Sequence, residues 1–549
     1  MALSIVLLGA GGVVVLPLVG TLVAVGRNGS AAGIEFPVVL LLKSLAYAGL
    51  VAVGAGGIGW VSARLVMRDG GEGWRALPFL VVPLLLPPTL ISSGLGTLRA
   101  PGTLLGNWIE RTAQDGAGWL PGVVSQVLAI VGLALWASPI VAGCCALGLG
   151  SMPRGVREGL QIDGAGWVRR EWELVRACGG MLGLGMVAVG AMMLGTAIPL
   201  HLAQVPTLAL TIWAGLVLKP GDAGVWVRAW PLFALAVVVA GVVVRRVSRA
   251  MGERGEFSPV GSGRGVPRVV WGWILGVVVV PIGLFAFSMR SWESGVRAVE
   301  NFWPLSGEAV GSSLLVAGWV GLVTGLVGWG VWYLLFGLRR LPGWLAAVCL
   351  MVCVGGLVPG VLVGLAWTHV VQVVRPVWDG VQDWAGVVVL AHLTRFVWIG
   401  VIAGLGFAVA EARGVRRELA VVDGVGGLMG WIQAVSARRV LGLVGVGLAA
   451  GACSLHEIEA TVVIQPAGLE SLAQTVLGYL HFARMEDLAA AVIWLGGAGL
   501  LVAGVAAWLV GRVFGEGEPK GAPASTGLGE ELGLGARDGA KPESGESVE

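Results

Sequence analysis

Apolar residues in this chain gather in long blocks separated by short polar stretches. The blocks run to about 20 residues or more, the length that crosses a hydrocarbon core as helix. Six fall near 3–26, 38–66, 76–95, 122–148, 177–200 and 226–246. Six more fall near 267–289, 310–337, 342–366, 387–410, 437–455 and 488–513. Helix is the default for such blocks, because lipid offers loose backbone groups no partner. The pattern predicts an all-α, polytopic membrane protein with about 12 transmembrane helices. The first block has no basic stretch ahead of it and no small-residue cleavage signature, so it reads as a retained span rather than a removed signal peptide. From about Gly515 the chain turns to Gly, Glu, Ser and Pro, the composition of a disordered tail over 515–549.

Composition agrees with this pattern and excludes alternatives. Of 549 residues, 56% are hydrophobic and only 13% charged, too little charge to cover a soluble surface. A net charge of +3 gives no footprint for nucleic acid. Cys144, Cys145, Cys178, Cys349, Cys353 and Cys453 all lie in or beside apolar stretches, and read as packing residues rather than a disulfide framework or metal site. The 92 glycines suit close helix approach, as in Gly325-Leu326-Val327-Gly328, and the 25 tryptophans suit interfacial belts.

Charge sets the orientation. With a cytoplasmic N-terminus, the even-numbered loops carry Arg64, Arg68, Arg75, Arg154, Arg157, Arg169, Arg170, Arg176, the group from Arg245 to Arg268, Arg339, Arg340, Arg413, Arg416, Arg417, Arg438 and Arg439. These make 21 basic residues, against 9 in the opposite loops. Cytoplasmic loops carry such an excess, so both termini are expected in the cytoplasm.

The two halves share punctuation. Leu42-Lys43-Ser44-Leu45 and Gly311-Ser312-Ser313-Leu314 open the second block of the first half and its counterpart, with Lys43 placed to snorkel. Pro87-Pro88 and Pro359-Gly360 interrupt the next blocks, where Pro weakens a helix. The fourth and fifth blocks of each half flank a long loop. In each loop a Glu is followed by Asp five residues on and Gly six residues on: Glu158, Asp163 and Gly164, then Glu418, Asp423 and Gly424. Glu is favoured near a helix N-terminus and Gly permits a left-handed stop, so each loop can form a short rigid knob. The expected organisation is a first module over 1–250, with its loop near 154–176, and a second over 251–514, with its loop near 411–439.

These loops resemble the coupling loops of binding-protein-dependent ABC importer permeases, whose pattern is Glu-Ala-Ala, three residues, then Gly. Glu158 and Gly164 match in the first loop, and Glu418, Ala420 and Gly424 in the second. Gly159, Leu160 and Leu419 depart from the double Ala. The stretches Leu390–Phe396, Ser454–Val462, Pro466–Leu472 and Tyr479–Phe482 resemble fused two-module permeases of the ferric iron and thiamine type. The resemblance implies a pathway between two six-helix modules in the plasma (inner) membrane, a pair of cytoplasmic ABC ATPase subunits and an extracytoplasmic solute-binding protein. It puts ferric iron first among solutes, with thiamine, a polyamine or an oxyanion as alternatives.

The chain contains no Gly-x-x-x-x-Gly-Lys-Ser/Thr phosphate loop, so energy is expected from a partner. His456-Glu457 begins like a zincin motif, but Ala460 stands where the second His belongs. No catalytic residue, cofactor or metal site is expected. His456, Glu457, Glu459 and Arg395 are the candidates for lining a pathway, since ionisable groups at membrane depth are costly. Anchoring or structural pairing is the alternative for each. A secondary transporter or channel is the rival class; it would carry several ionisable groups in mid-helix, and this chain offers few, which counts against it. A membrane enzyme would need a convergent polar cluster on facing helices, and the sequence assembles none.

Overall fold

The computed structural model describes residues 37–67, 76–150, 152, 166–218, 223–250, 268–287, 289, 291–335, 341–410 and 437–515. The block at 3–26, the tail beyond 515 and both proposed coupling loops, with Glu158, Asp163, Gly164, Glu418, Ala420, Asp423 and Gly424, lie outside them. Among the described residues the structure is helical, with no strand.

The first half runs α1 (Val38–Val66), α2 (Leu77–Leu80) with a 3-10 turn (Val82–Leu85), α3 (Pro88–Gly96), α4 (Leu104–Gln114), α5 (Leu120–Gly150), α6 (Trp167–Gly195), α7 (Ile198–Leu202), α8 (Leu208–Leu218) and α9 (Ala223–Ala250). Next come α10 (Arg268–Ile274) and α11 (Val280–Phe287), at the block near 267–289 that opens the second half, joined through a π-helical turn at Leu275–Val279. The second half continues with α12 (Trp292–Leu335), α13 (Gly343–Leu357), α14 (Gly360–Val374), α15 (Gly386–Ala410), α16 (Ala437–Leu455), α17 (Glu459–Ile464), α18 (Leu472–His481) and α19 (Met485–Gly515).

Among the described residues, seven helices are long and apolar enough to cross a membrane: α1, α5, α6, α9, α12, α15 and α19. The pair α13 and α14 makes an eighth if taken as one broken span, bent by 110°. The chain is therefore an all-helical, polytopic membrane protein. Several blocks read as single spans are not continuous helices. The block at 76–95 is broken at Leu86-Pro87, and the one at 342–366 at Val358-Pro359. In both, Pro lacks the N–H that would continue the ladder and starts a new helix in extended geometry: Pro87 at φ −53°, ψ 134° and Pro359 at φ −52°, ψ 138°.

Other helices outrun their apolar blocks. α6 begins at Trp167, ten residues before the block near 177, so Arg169, Arg170 and Arg176 lie in its opening turns rather than in a loop. There Glu171 meets Arg64, from the end of α1, at 2.9 Å. α12 likewise begins at Trp292, with an exposed Glu293–Arg297 pair four residues apart at 3.2 Å. Trp167, Trp292 and Trp344 are exposed in the first turns of α6, α12 and α13, where an interfacial belt would place them.

The packing repeats. α1, α5 and α6 pack against one another, and so do α12, α15 and α16. Ser44 Oγ on α1 accepts from the Leu208 N–H at the start of α8, at 2.8 Å. Ser313 Oγ on α12 accepts from the Leu472 N–H at the start of α18, at 2.9 Å. Each half also lends its last helix to the other: α9 packs on α13, and α19 on α2 and its 3-10 turn. Glycine permits the closest contact. A Cβ at Gly321 would sit 2.7 Å from the Gly447 carbonyl oxygen, and one at Gly328 would sit 2.9 Å from that of Gly400. All six cysteines are free, and Cys145, Cys178, Cys349 and Cys353 are buried in the packing.

Candidate functional site

Helix breaks strand backbone carbonyls, and buried carbonyls need donors. The two Pro breaks therefore dictate much of the chemistry in this interior. In the first half, Trp136 Nε1 on α5 donates to the Leu86 carbonyl at 2.9 Å. In the second half, Arg395 on α15, the helix corresponding to α5, donates through Nη1 to the Val358 carbonyl. One break thus receives an indole and the other a charged guanidinium.

The charge at Arg395 is matched locally. Its Nε donates to Glu457 Oε2 at 3.3 Å, with the two side chains 12% and 6% exposed. Glu457 Oε1 accepts from the Ala460 N–H at 3.0 Å, which closes the start of α17. One turn before Arg395, the buried His392 ring lies between Ser454 Oγ, 2.7 Å from Nδ1, and Thr461 Oγ1, 2.8 Å from Nε2. Thr461 donates its own proton to the Glu457 carbonyl at 2.6 Å. His392 Nε2 must then carry a proton and donate to Thr461.

The segment from Ser454 to Thr461 also reaches the other half. His456 Nε2 donates to the Leu84 carbonyl in the 3-10 turn at 2.7 Å. Glu459 Oε1 accepts from the Ala197 N–H, ahead of α7, at 2.7 Å. Glu459 is 6% exposed, and its Oε2 has no hydrogen-bond partner among the described residues. All four candidates, Arg395, His456, Glu457 and Glu459, are thus brought together around one cavity of about 80 Å³, which Thr89, Trp136 and Trp398 also line. Ile198 lines this cavity and also a larger apolar one of about 700 Å³, between α7, α8 and α18, where His201 and His481 stand. Among the described residues, no three His, Cys, Asp or Glu side chains are grouped to hold a metal ion.

His392, Ser454, Thr461 and Thr89 belong to the same site and escaped the sequence reading. The signal for His392 was present: an imidazole inside the apolar run of α15, three residues before Arg395. For Thr89 there was none, because an isolated Thr in an apolar block reads as packing.

A bundle of spanning helices interrupted by two Pro breaks, enclosing ionisable side chains in a small internal cavity, defines an all-helical integral membrane protein with a polar interior. No protein family, curated protein or solved structure matches the chain.

Proposed function

We propose that this chain is the membrane-spanning permease of an ABC importer, built from two modules with the solute pathway between them. The observation that carries this reading is the duplication. The Glu-x5-Gly loop recurs at the same slot in each half, and around those slots the packing, the Pro breaks and the Ser44 and Ser313 hydrogen bonds recur as well. The twelve-span layout, two six-helix modules and cytoplasmic termini belong to this proposal. So do the pair of ATPase subunits, the solute-binding protein and the inner-membrane location. In this scheme ATPase closure pushes on both coupling loops and rocks the modules, opening the pathway between them alternately to each side. The binding protein selects the solute, with ferric iron first by resemblance.

Co-purification with a P-loop ATPase tests the reading. It is expected for the native chain and lost when Glu418 and Gly424 are both replaced. Unimpaired assembly and transport in that double variant would remove the coupling role. One observation favours a second reading. Four ionisable side chains, His392, His456, Glu457 and Glu459, are buried together beside the partly buried Arg395, as in a secondary transporter. Solute uptake into vesicles without nucleotide or binding protein would decide for it.

A further inference from the structure

Two buried oxygens at the small cavity make no hydrogen bond among the described residues. Thr89 Oγ1, on a residue 2% exposed, and Glu459 Oε2, on a residue 6% exposed, both lack partners among the described residues, and both residues line the cavity. A native interior rarely leaves buried polar atoms unpaired without an occupant to explain them. The charges point the same way. Arg395 is engaged with Glu457 and with the Val358 carbonyl, and it is one cation beside two carboxylates, Glu457 and Glu459, that line the same cavity. An unmatched carboxylate away from water is costly.

We propose that this cavity binds one small primary ammonium cation, with Glu459 Oε2 and Thr89 Oγ1 as its acceptors. An ammonium has three N–H donors; two go to these oxygens, and the indoles of Trp136 and Trp398 supply aromatic surface that attracts a cation. A bare metal ion is served worse. A hard cation takes about six or more oxygen ligands, and two free oxygens fall far short. The cavity, at about 80 Å³, is several times the roughly 10–15 Å³ that one water needs on the same measure. It suits a cation of a few heavy atoms.

The assignment rests on the reading of the chain as a solute permease, but binding to the chain alone tests it separately. The full chain in lipid nanodiscs, with no ATPase and no binding protein, is titrated with radiolabelled methylammonium. Saturable binding of one cation per chain is expected, displaced by ammonium and ethylammonium, and not by sodium or tetramethylammonium. Glu459→Gln keeps a carbonyl acceptor for the Ala197 N–H, so it preserves that contact between the halves. It should weaken binding by about tenfold or more, the scale of one charged hydrogen bond. Thr89→Val should weaken it by about threefold or more, the scale of one neutral hydrogen bond. Both variants should elute as the native chain does.

Three results would overturn the assignment. The first is an absence of saturable binding by the native chain. The second is equal binding by a well-folded Glu459→Gln chain. The third is displacement by sodium as effective as by ethylammonium. Loss of ATPase co-purification would instead bear on the importer reading and leave this site standing.

Discussion

Replacing Arg395 by Met keeps much of the side chain's bulk and removes its charge. Glu457 then keeps its Ala460 bond but loses the guanidinium paired with it, at a position 6% exposed. Breaking a buried pair by removing one partner costs about 3–5 kcal/mol. The Val358 carbonyl at the Pro359 break also loses its donor, for about 1–3 kcal/mol more. Arg395→Met should therefore lower unfolding free energy by at least about 3 kcal/mol, a large fraction of a typical total. Adding Glu457→Gln removes the stranded charge while leaving a carbonyl for Ala460, and should restore about 2 kcal/mol or more. The assay is reversible unfolding of the full chain in mixed micelles by increasing the SDS fraction, with both single variants and the double. A loss below about 1 kcal/mol for Arg395→Met, the range of solvated pairs, would refute the argument. So would a double variant as unstable as the two single losses added together. Either result would mean that water reaches the pair and that its desolvation is not what holds the break.

The duplicated serine contacts make a matched test: Ser44→Ala and Ser313→Ala each strand a buried amide, and each should cost about 1–3 kcal/mol in the same assay. The two share no partner, so the double variant should lose close to the sum. Gly321→Ala pushes a methyl toward the Gly447 carbonyl and should cost about 1–3 kcal/mol, whereas Gly318→Ala meets nothing within 4 Å and should be neutral or mildly stabilising. Cys145, Cys349 and Cys353 are buried, so a membrane-permeant maleimide should leave them unmodified in the native chain and label them only after SDS unfolding.

Some of this was legible in the residues. The ends of α1 and α5 fall within two residues of the apolar blocks, because a run of apolar residues in lipid has one economical backbone solution. The Pro positions marked both breaks, since Pro acts on the backbone locally. The starts of α6 and α12 were missed for the complementary reason: their first turns are charged, and a helix continues past the hydrocarbon wherever tertiary contacts such as Arg64–Glu171 hold it.

The site divides the same way. Arg395, His456, Glu457 and Glu459 stood out because each is expensive at membrane depth, and that cost is a property of the residue type alone. Which of them meet was a matter of three-dimensional placement. Arg395 and Glu457 are 62 positions apart and form one pair. Glu459 closes an amide 262 positions away, and His456 a carbonyl 372 positions away. Local pattern and residue cost thus determined a polytopic helical membrane protein with a repeat and a set of suspect polar positions. Only the tertiary structure decided that the two breaks face one cavity, that Arg395 is committed to Glu457 and Val358, and that one oxygen of Glu459 makes no hydrogen bond among the described residues. Hydrophobic blocks specify how long each helix is and where it breaks. Which helices become neighbours depends on contacts between residues hundreds of positions apart, and no local pattern encodes those.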